Sequence, residues 1–248
     1  MANSFYDPGE SRGARVKELF TRIAPRYDLI NDLQSFGLHR FWKRRVIRLA
    51  QPGPGKVALD LCCGTGDLAL GLARQGAQVT GVDFNTKMLQ VAQKRKRHWQ
   101  ESNHKTAEVA TSPHFVQCDA LLLPFPDASF DIVTIAYGLR NLADLTAGLR
   151  EMRRVAKPQG RLLALDFGKP ENGFWRGAYF TYLRFFVPVL GAVFCGNAKA
   201  YAYILESLRH YPGQQGVARQ MEELGLVNVR TVNLLGGMMG INYGERRE

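Results

Sequence analysis

"LDLCCGTGDL", residues 59–68, decides how this chain is read. A strand-like run ends at Asp60, and Gly64-Thr65-Gly66 sits where the chain turns into a helix. Glycines at such a turn let the backbone approach a ligand and tolerate positive φ. Full GxGxxG spacing is missing, so a phosphate-cradling role is weaker than in a dinucleotide site, and a plain tight turn explains the glycines nearly as well. Cys62 and Cys63 are adjacent and cannot easily bridge or chelate one ion. Neither a CxxC pair nor a histidine at metal-finger spacing is present, so no metal site is expected.

The flanking segments supply the rhythm. "KVALDL" (56–61), "AQVTGVD" (77–83), "HFVQCD" (114–119), "FDIVTIAY" (130–137) and "RLLALDF" (161–167) read as strands. Helices are predicted over "DLALGLARQ" (67–75), "TKMLQVAQKRKRHWQ" (86–100) and "DLTAGLREMRRVAK" (144–157). Alternation of this kind predicts βαβ units and a doubly wound, mostly parallel α/β sheet. Residues 99–113 are polar and irregular and read as an exposed loop, while "VNVRTVNLL" and "GMMGIN" supply the last strands. Ahead of the sheet, Val16, Leu19, Phe20 and Ile23 mark one helical face, and Trp42, Val46, Leu49 and Ala50 mark another. Residues 1–52 are therefore predicted to be N-terminal helices closing a substrate site. Residues 53–248 form the main domain, with an aromatic-rich helical insert over about 170–212.

The chain has 248 residues, enough for a full core, and a net charge of +11 that favours anionic partners, either nucleic acid or acidic lipid. The run "QKRKRHWQ" (93–100) reads as a solvated helix face. Four cysteines and a polar N-terminus without an apolar core point to a reducing compartment and no secretory signal. The longest apolar run, Phe185 to Gly196, falls short of the ~20 residues a spanning helix needs. The expected location is cytoplasmic, with peripheral attachment to a membrane.

Asp83, with Phe84 beside it, ends the strand after the glycine loop, where a carboxylate can accept both ribose hydroxyls. Asp119-Ala120 ends the next strand, where an acid can meet an adenine amine and an apolar neighbour can line the ring. Taken singly, each Asp is equally well a helix cap. Three strand ends in register, glycine-rich, acidic and acidic, favour an adenosine ligand without phosphates, S-adenosylmethionine rather than NAD.

"VKELFTRIAPRYDLINDLQSFGLHRFWKR", "GVDFNTKML", "DALLLPFPDASFD", "YGLRNLAD", "EMRRVAKPQGRLLALDF" and "GGMMGI", together with "LDLCCGTGDLAL", are specific. Through them the chain resembles the ubiquinone/menaquinone-biosynthesis C-methyltransferase family, within the class I S-adenosylmethionine-dependent methyltransferases. The resemblance covers about residues 15–242 and implies a seven-stranded Rossmann-like sheet. It places cofactor contacts at Thr65, Asp83, Asp119 and Ala120, and the wider set Asp60, Gly64, Gly66, Phe84 and Ala136 belongs to the same loops. Many family members carry serine where Ala136 stands, which leaves one cofactor contact open, and the class pattern often has glycine at Cys62. The Cys62-Cys63 pair and "GGMMGI" look like the branch that methylates demethylphylloquinone, a phytyl naphthoquinone.

Carbon methylation needs an electron-rich ring, so the implied substrate is the quinol. Arg140 is expected to pair with a naphtholate oxygen, being always charged, and its pKa above ~12 makes it a poor proton acceptor. Asn141 is expected to orient the same oxygen, with Tyr27, Asn31 and Tyr137 as substrate contacts. His39 is the nearest conventional base by motif, although a lone histidine is more often structural. The insert is read equally as a channel for the tail and as ordinary core. The expected partners are a prenylated naphthoquinol and a membrane surface, with no specific nucleic acid; a homodimer is left open.

Overall fold

The computed structural model describes residues 12–103, 111–195 and 198–248. Three helices lead: α1 (Arg12–Ile23), α2 (Tyr27–Ser35) and α3 (Leu38–Ala50). Val16 and Leu19 of α1 are buried, with Phe20 and Ile23 packed against the same cluster, as the 3–4 spacing predicts. The buried face of α3 is His39, Trp42, Lys43, Val46 and Ala50. Leu49 packs half-buried against the cluster that holds Trp42 and Val46, as the spacing predicts, and Lys43 is drawn in by Asp67, 2.8 Å away.

The core is one sheet of seven strands: β1 (Val57–Leu61), β2 (Gln78–Asp83), β3 (His114–Gln117), β4 (Phe130–Ala136), β5 (Ala156–Phe167), β6 (Leu226–Leu234) and β7 (Met239–Arg246). Their order is β3-β2-β1-β4-β5-β7-β6, with β7 antiparallel to both neighbours and the remaining pairs parallel. Strands β1 and β4 are almost continuously buried, the mark of parallel strands covered on both faces. Helices α4 (Asp67–Ala73), α5 (Thr86–Asn103), α6 (Leu145–Val155) and α10 (Gly213–Glu223) connect or cover them. Reversal of strand order on either side of β1 and β4 opens a crevice at their carboxyl ends, where open α/β sheets bind ligands.

Two boundaries differ from the sequence reading. Helix α5 continues to Asn103, so the first part of the expected loop is helical, and residues 104–110 lie outside the described residues, as does the N-terminus through residue 11. Helix α6 stops at Val155, because Ala156 already pairs with Phe130 as the start of β5 and Pro158 cannot extend a helix.

The insert runs α7 (Gly173–Thr181), a π turn (Tyr182–Phe186), α8 (Val187–Cys195) and α9 (Ala198–His210). Tyr182 donates to the Gln34 carbonyl of α2 at 3.0 Å, and Tyr179 donates to the Met238 carbonyl at 3.2 Å. These contacts join the insert to the N-terminal helices on one side and to the last strands on the other. Among the described residues, no helix is long and apolar enough to cross a membrane.

Candidate active site

Two cavities lie at the carboxyl edge of the sheet. The first, about 110 Å³, sits at the ends of β1, β2, β3 and β4. Gly64, Asp83, Phe84, Asp119, Ala120 and Ala136, six of the residues expected at the cofactor, are on its wall. Asp83 receives the Gly64 N–H at 2.9 Å on one oxygen and the Asn85 N–H at 2.8 Å on the other. Burial pushes its carboxyl up, and the two amide donors oppose the shift. Asp119 accepts the Leu121 N–H at 2.9 Å and is otherwise exposed at the rim. Met88, Cys118 and Leu121 give this cavity an apolar side. Gly64 has φ +55, and a Cβ there would come within 3.2 Å of Met88. The donor set fits S-adenosylmethionine: a carboxylate at a ribose position, an apolar slot beside a second carboxylate, and a loop whose backbone comes close.

Asp60, Thr65 and Gly66 are not on this wall and hold the loop from behind. Asp60 is buried, accepts the Thr134 hydroxyl at 2.8 Å, and leaves its other oxygen unpartnered; burial pushes its pKa up to about 7. Thr65 donates to Asp28 of α2 at 2.9 Å and accepts from Arg95 at 3.0 Å. Asp67 joins this group, paired with Lys43 and Arg95. Against the upward pull of burial, these two cations hold its carboxyl well below the usual range. Arg95 belongs to the run expected to be a solvated face. It turns inward instead, because two carboxylates, Asp28 and Asp67, meet it there.

Cys62 lines the same cavity with φ +50, a left-handed conformation that glycine adopts without cost. Cys62, Cys63 and Cys118 are free thiols, and burial raises the pKa of each. Raised pKa values keep them protonated at neutral pH, unlike an activated thiolate.

The second cavity, about 270 Å³, lies between α1–α3, the insert and the end of β5. Phe20, Tyr27 and Tyr137 line both cavities and form the partition between them. Tyr27, Asn31, His39, Tyr137 and Arg140 all lie on the wall of this chamber, whose surface is mostly apolar. The chain thus brings together residues more than a hundred positions apart. Arg140, in a short 3-10 turn after β4, is 6% exposed and paired with Asp166 Oδ1 at 2.7 Å. It also donates to the Tyr137 carbonyl at 2.9 Å and stacks over Phe167 at 4.5 Å. Burial works against its charge, but Asp166 more than compensates and its pKa stays raised. Sequence reasoning missed Asp166. Its signal was available, as an acid ending a strand in "LLALDF", like Asp60, Asp83 and Asp119.

Asn141, expected to orient the quinol oxygen, has both ends of its amide engaged by the protein. Its amide N–H₂ donates to the Tyr137 carbonyl at 3.0 Å and its oxygen accepts the Tyr203 hydroxyl at 3.0 Å, and it faces the first cavity. It braces the turn that carries Arg140 and ties it to the insert. Among the described residues that line the chamber, Arg140 Nε and the Tyr137 hydroxyl are buried without a partner, while the Asn31 side chain meets the Tyr27 hydroxyl. Tyr137 is also held at φ +60, and strain of this kind concentrates at functional sites.

The ubiE/COQ5 methyltransferase family matches residues 9–246. A Cellvibrio japonicus protein named ubiquinone/menaquinone biosynthesis C-methyltransferase UbiE is 41% identical over 240 residues, 96% of this chain and 93% of that one. A Desulfitobacterium hafniense demethylmenaquinone methyltransferase is 38% identical, over 96% of this chain and 92% of its own. Among solved structures, a SAM-dependent methyltransferase from Aquifex aeolicus superposes with a TM-score of 0.60 at 18% identity, covering 88% of this chain and 97% of that one. Magnesium protoporphyrin IX methyltransferase from Synechocystis PCC 6803, with bound SAH, gives 0.52 at 18% identity, over 84% and 83%. With the strand order, the strand-end carboxylates and the buried arginine in place, the chain belongs to the ubiE/COQ5 methyltransferase family and has the class I S-adenosylmethionine-dependent methyltransferase fold.

Proposed function

We propose that the protein methylates a ring carbon of a prenylated naphthoquinol, with demethylphylloquinol, the phytyl compound, as the preferred substrate. One observation carries the quinol reading: Arg140 and Tyr137, which line the apolar chamber beside the donor cavity, each keep a buried donor without a protein partner, Arg140 Nε and Tyr137 Oη. Unmet donors in an apolar pocket call for a ligand that is mostly hydrocarbon and carries a few oxygen acceptors. A quinol with an isoprenoid tail has that character. The naphthoquinol and phytyl preference rests on the Cys62-Cys63 and "GGMMGI" signatures. A second reading, demethylmenaquinol, is favoured by the relative of that name.

Bound S-adenosylmethionine supplies an electrophilic methyl group on a sulfonium. The chain's own residues prepare the nucleophile. Arg140, fixed by Asp166 and the Tyr137 carbonyl, stabilises the oxyanion formed when a ring hydroxyl loses its proton. Burial raises the pKa of Tyr27 and Tyr137, so both remain neutral donors at neutral pH. Phe20, Tyr27 and Tyr137 orient the ring at the partition, and the apolar walls exclude water.

Membrane attachment belongs to the same proposal. Phe36 (76% exposed), Leu38 and Leu235 are exposed although they line the chamber, and Phe41, Phe185 and Val189 are exposed nearby in sequence. Arg40, Arg44 and Arg184 accompany them and complement acidic headgroups.

The test is methyl transfer from labelled S-adenosylmethionine to 2-phytyl-1,4-naphthoquinone, with and without reductant, beside a demethylmenaquinone and a prenylated methoxybenzoquinone. Turnover of the reduced phytyl compound in preference to the others is expected. Preference for demethylmenaquinol would move the tail assignment, and no turnover of any quinol would sink the substrate class. Co-sedimentation with vesicles containing acidic lipid, lost in Phe36→Ser/Phe41→Ser, checks the attachment.

A further inference from the structure

We infer that His39 is the general base that removes the quinol hydroxyl proton, and that Ser35 locks its imidazole in the tautomer this requires. The inference rests on the quinol reading above. His39 is 4% exposed, lies on the chamber wall and sits one turn after Ser35. The Ser35 hydroxyl makes three contacts: to the Asn31 carbonyl at 2.5 Å, to the His39 backbone N at 3.2 Å and to His39 Nδ1 at 2.9 Å. A hydroxyl has one hydrogen and two lone pairs. A carbonyl can only accept, so Ser35 spends its hydrogen on Asn31. The backbone N–H fills one lone pair. His39 Nδ1 must then fill the other as a donor. The neutral ring therefore carries its proton on Nδ1, and Nε2 holds an open lone pair.

The surroundings act in the same direction. Asp32 Oδ1 lies 3.7 Å from Nδ1, too far for a hydrogen bond but close enough to favour a proton there and to stabilise the imidazolium once formed. Arg40 holds the other Asp32 oxygen at 2.6 Å. Burial, then Lys43, lowers the His39 pKa, against the opposite pull of Asp32 and Asp67, while Arg40 adds to the lowering. Among the described residues, the other ionisable groups on the chamber wall are Arg140 and the tyrosines 27, 137, 179, 182 and 203. An ordinary phenol is neutral at neutral pH, burial raises the pKa of Tyr27, Tyr137, Tyr179 and Tyr182 further, and arginine does not deprotonate.

The step balances. Nε2 takes the hydroxyl proton, and the O–H electron pair stays as an oxyanion beside Arg140. Density moves to the adjacent ring carbon, which bonds the methyl as the methyl–sulfur bond breaks and its pair remains on sulfur. Loss of the C–H proton and return of one proton to oxygen restore the quinol, and one proton leaves to solvent.

The experiment uses the full chain labelled with 15N-histidine, with the His39 signals assigned from the spectrum of His39→Gln. A pyridine-type shift on Nε2 and a pyrrole-type shift on Nδ1 are expected in the absence of any substrate. With reduced 2-phytyl-1,4-naphthoquinone in detergent, kcat of His39→Gln is expected to fall about 10²–10³-fold, with KM changed less than about threefold. The wild-type rate should rise with pH through a value below 6.5, because the deprotonated ring is the active form, and the variant should lose that limb. Ser35→Ala is expected to lose about tenfold and to show mixed tautomers, with Ser35→Thr restoring both; this pair decides the matter where His39→Gln does not fold. An Nε2–H tautomer in the wild type, or a His39→Gln rate within about fivefold of wild type, overturns the assignment. A wild-type enzyme inactive on every quinol overturns the substrate reading instead, which the tautomer spectrum does not touch.

Discussion

The donor cavity draws its polar groups from strand ends: the Gly64 amide just past β1, the carboxylate of Asp83 at the end of β2, and that of Asp119 just past β3. The chamber beyond Tyr27 and Tyr137 draws its own from α2, α3 and the turn after β4, and its walls from α1 and the insert. In the first, parallel pairing of adjacent strands sets the spacing, so few long-range side-chain contacts are needed. In the second, nothing sits correctly until helices from both ends of the chain have packed. The comparison implies separable damage. Changes in the donor cavity should weaken cofactor binding, and changes in the chamber should act on turnover of the second substrate.

The largest effect is expected at Arg140. Arg140→Ala should lower kcat/KM for the quinol about 10³-fold, the upper range for losing an oxyanion-stabilising donor. It should also destabilise the fold by about 3–5 kcal/mol, because Asp166 is left as a buried, unpaired charge. The double variant with Asp166→Ala should recover much of that stability in denaturant titration and none of the activity. Recovery of both would reduce Arg140 to a structural ion pair and erase the distinction between the two cavities.

Asp83→Ala should weaken S-adenosylmethionine binding about 10–100-fold by calorimetry, in line with losing a hydrogen-bonded charge. The quinol KM should stay within about threefold of wild type. A large change in quinol KM alone would mean that the two sites are not separable.

Thr65→Val tests the tether between loop and lid. It removes the hydroxyl that donates to Asp28 of α2 and accepts from Arg95. A loss of about 0.5–1.5 kcal/mol is expected, together with faster cofactor release in stopped-flow. Unchanged release would show that α2 does not gate the donor cavity.

The smallest effect is expected at Cys62→Gly, where φ +50 already suits glycine. Stability should change by less than about 1 kcal/mol in either direction, since strain relief opposes the added freedom of the unfolded chain. A loss well beyond that would show that the Cys62 side chain, packed against Gly138, supports the loop.

The mostly parallel α/β class and the donor loop were legible because they rest on local signals: buried strand runs, glycines at a turn, and an acid at successive strand ends, whereas the strand order was not read from the sequence. "GLRN" was legible as chemistry, but its partners were not. Asn141 was read only as a group that orients the substrate oxygen, and its bond to Tyr203 of α9 could not be foreseen from the local sequence. Arg95 sat in a run of cations with nothing local to mark it as different. Its inward turn depends on Asp28 and Asp67, which are 67 and 28 positions away.

By itself the sequence determined the α/β class and the carboxylates Asp60, Asp83 and Asp119, because each follows from periodicity or spacing within a few residues, and the family through the resemblance of its longer motifs. Tertiary structure decided which carboxylate neutralises Arg140, which donors stay unmet, and which imidazole nitrogen is open. The physical reason is that a buried polar group takes its state from whatever packs against it. At this site the contacts come from helices far apart in the chain, so no local pattern encodes them.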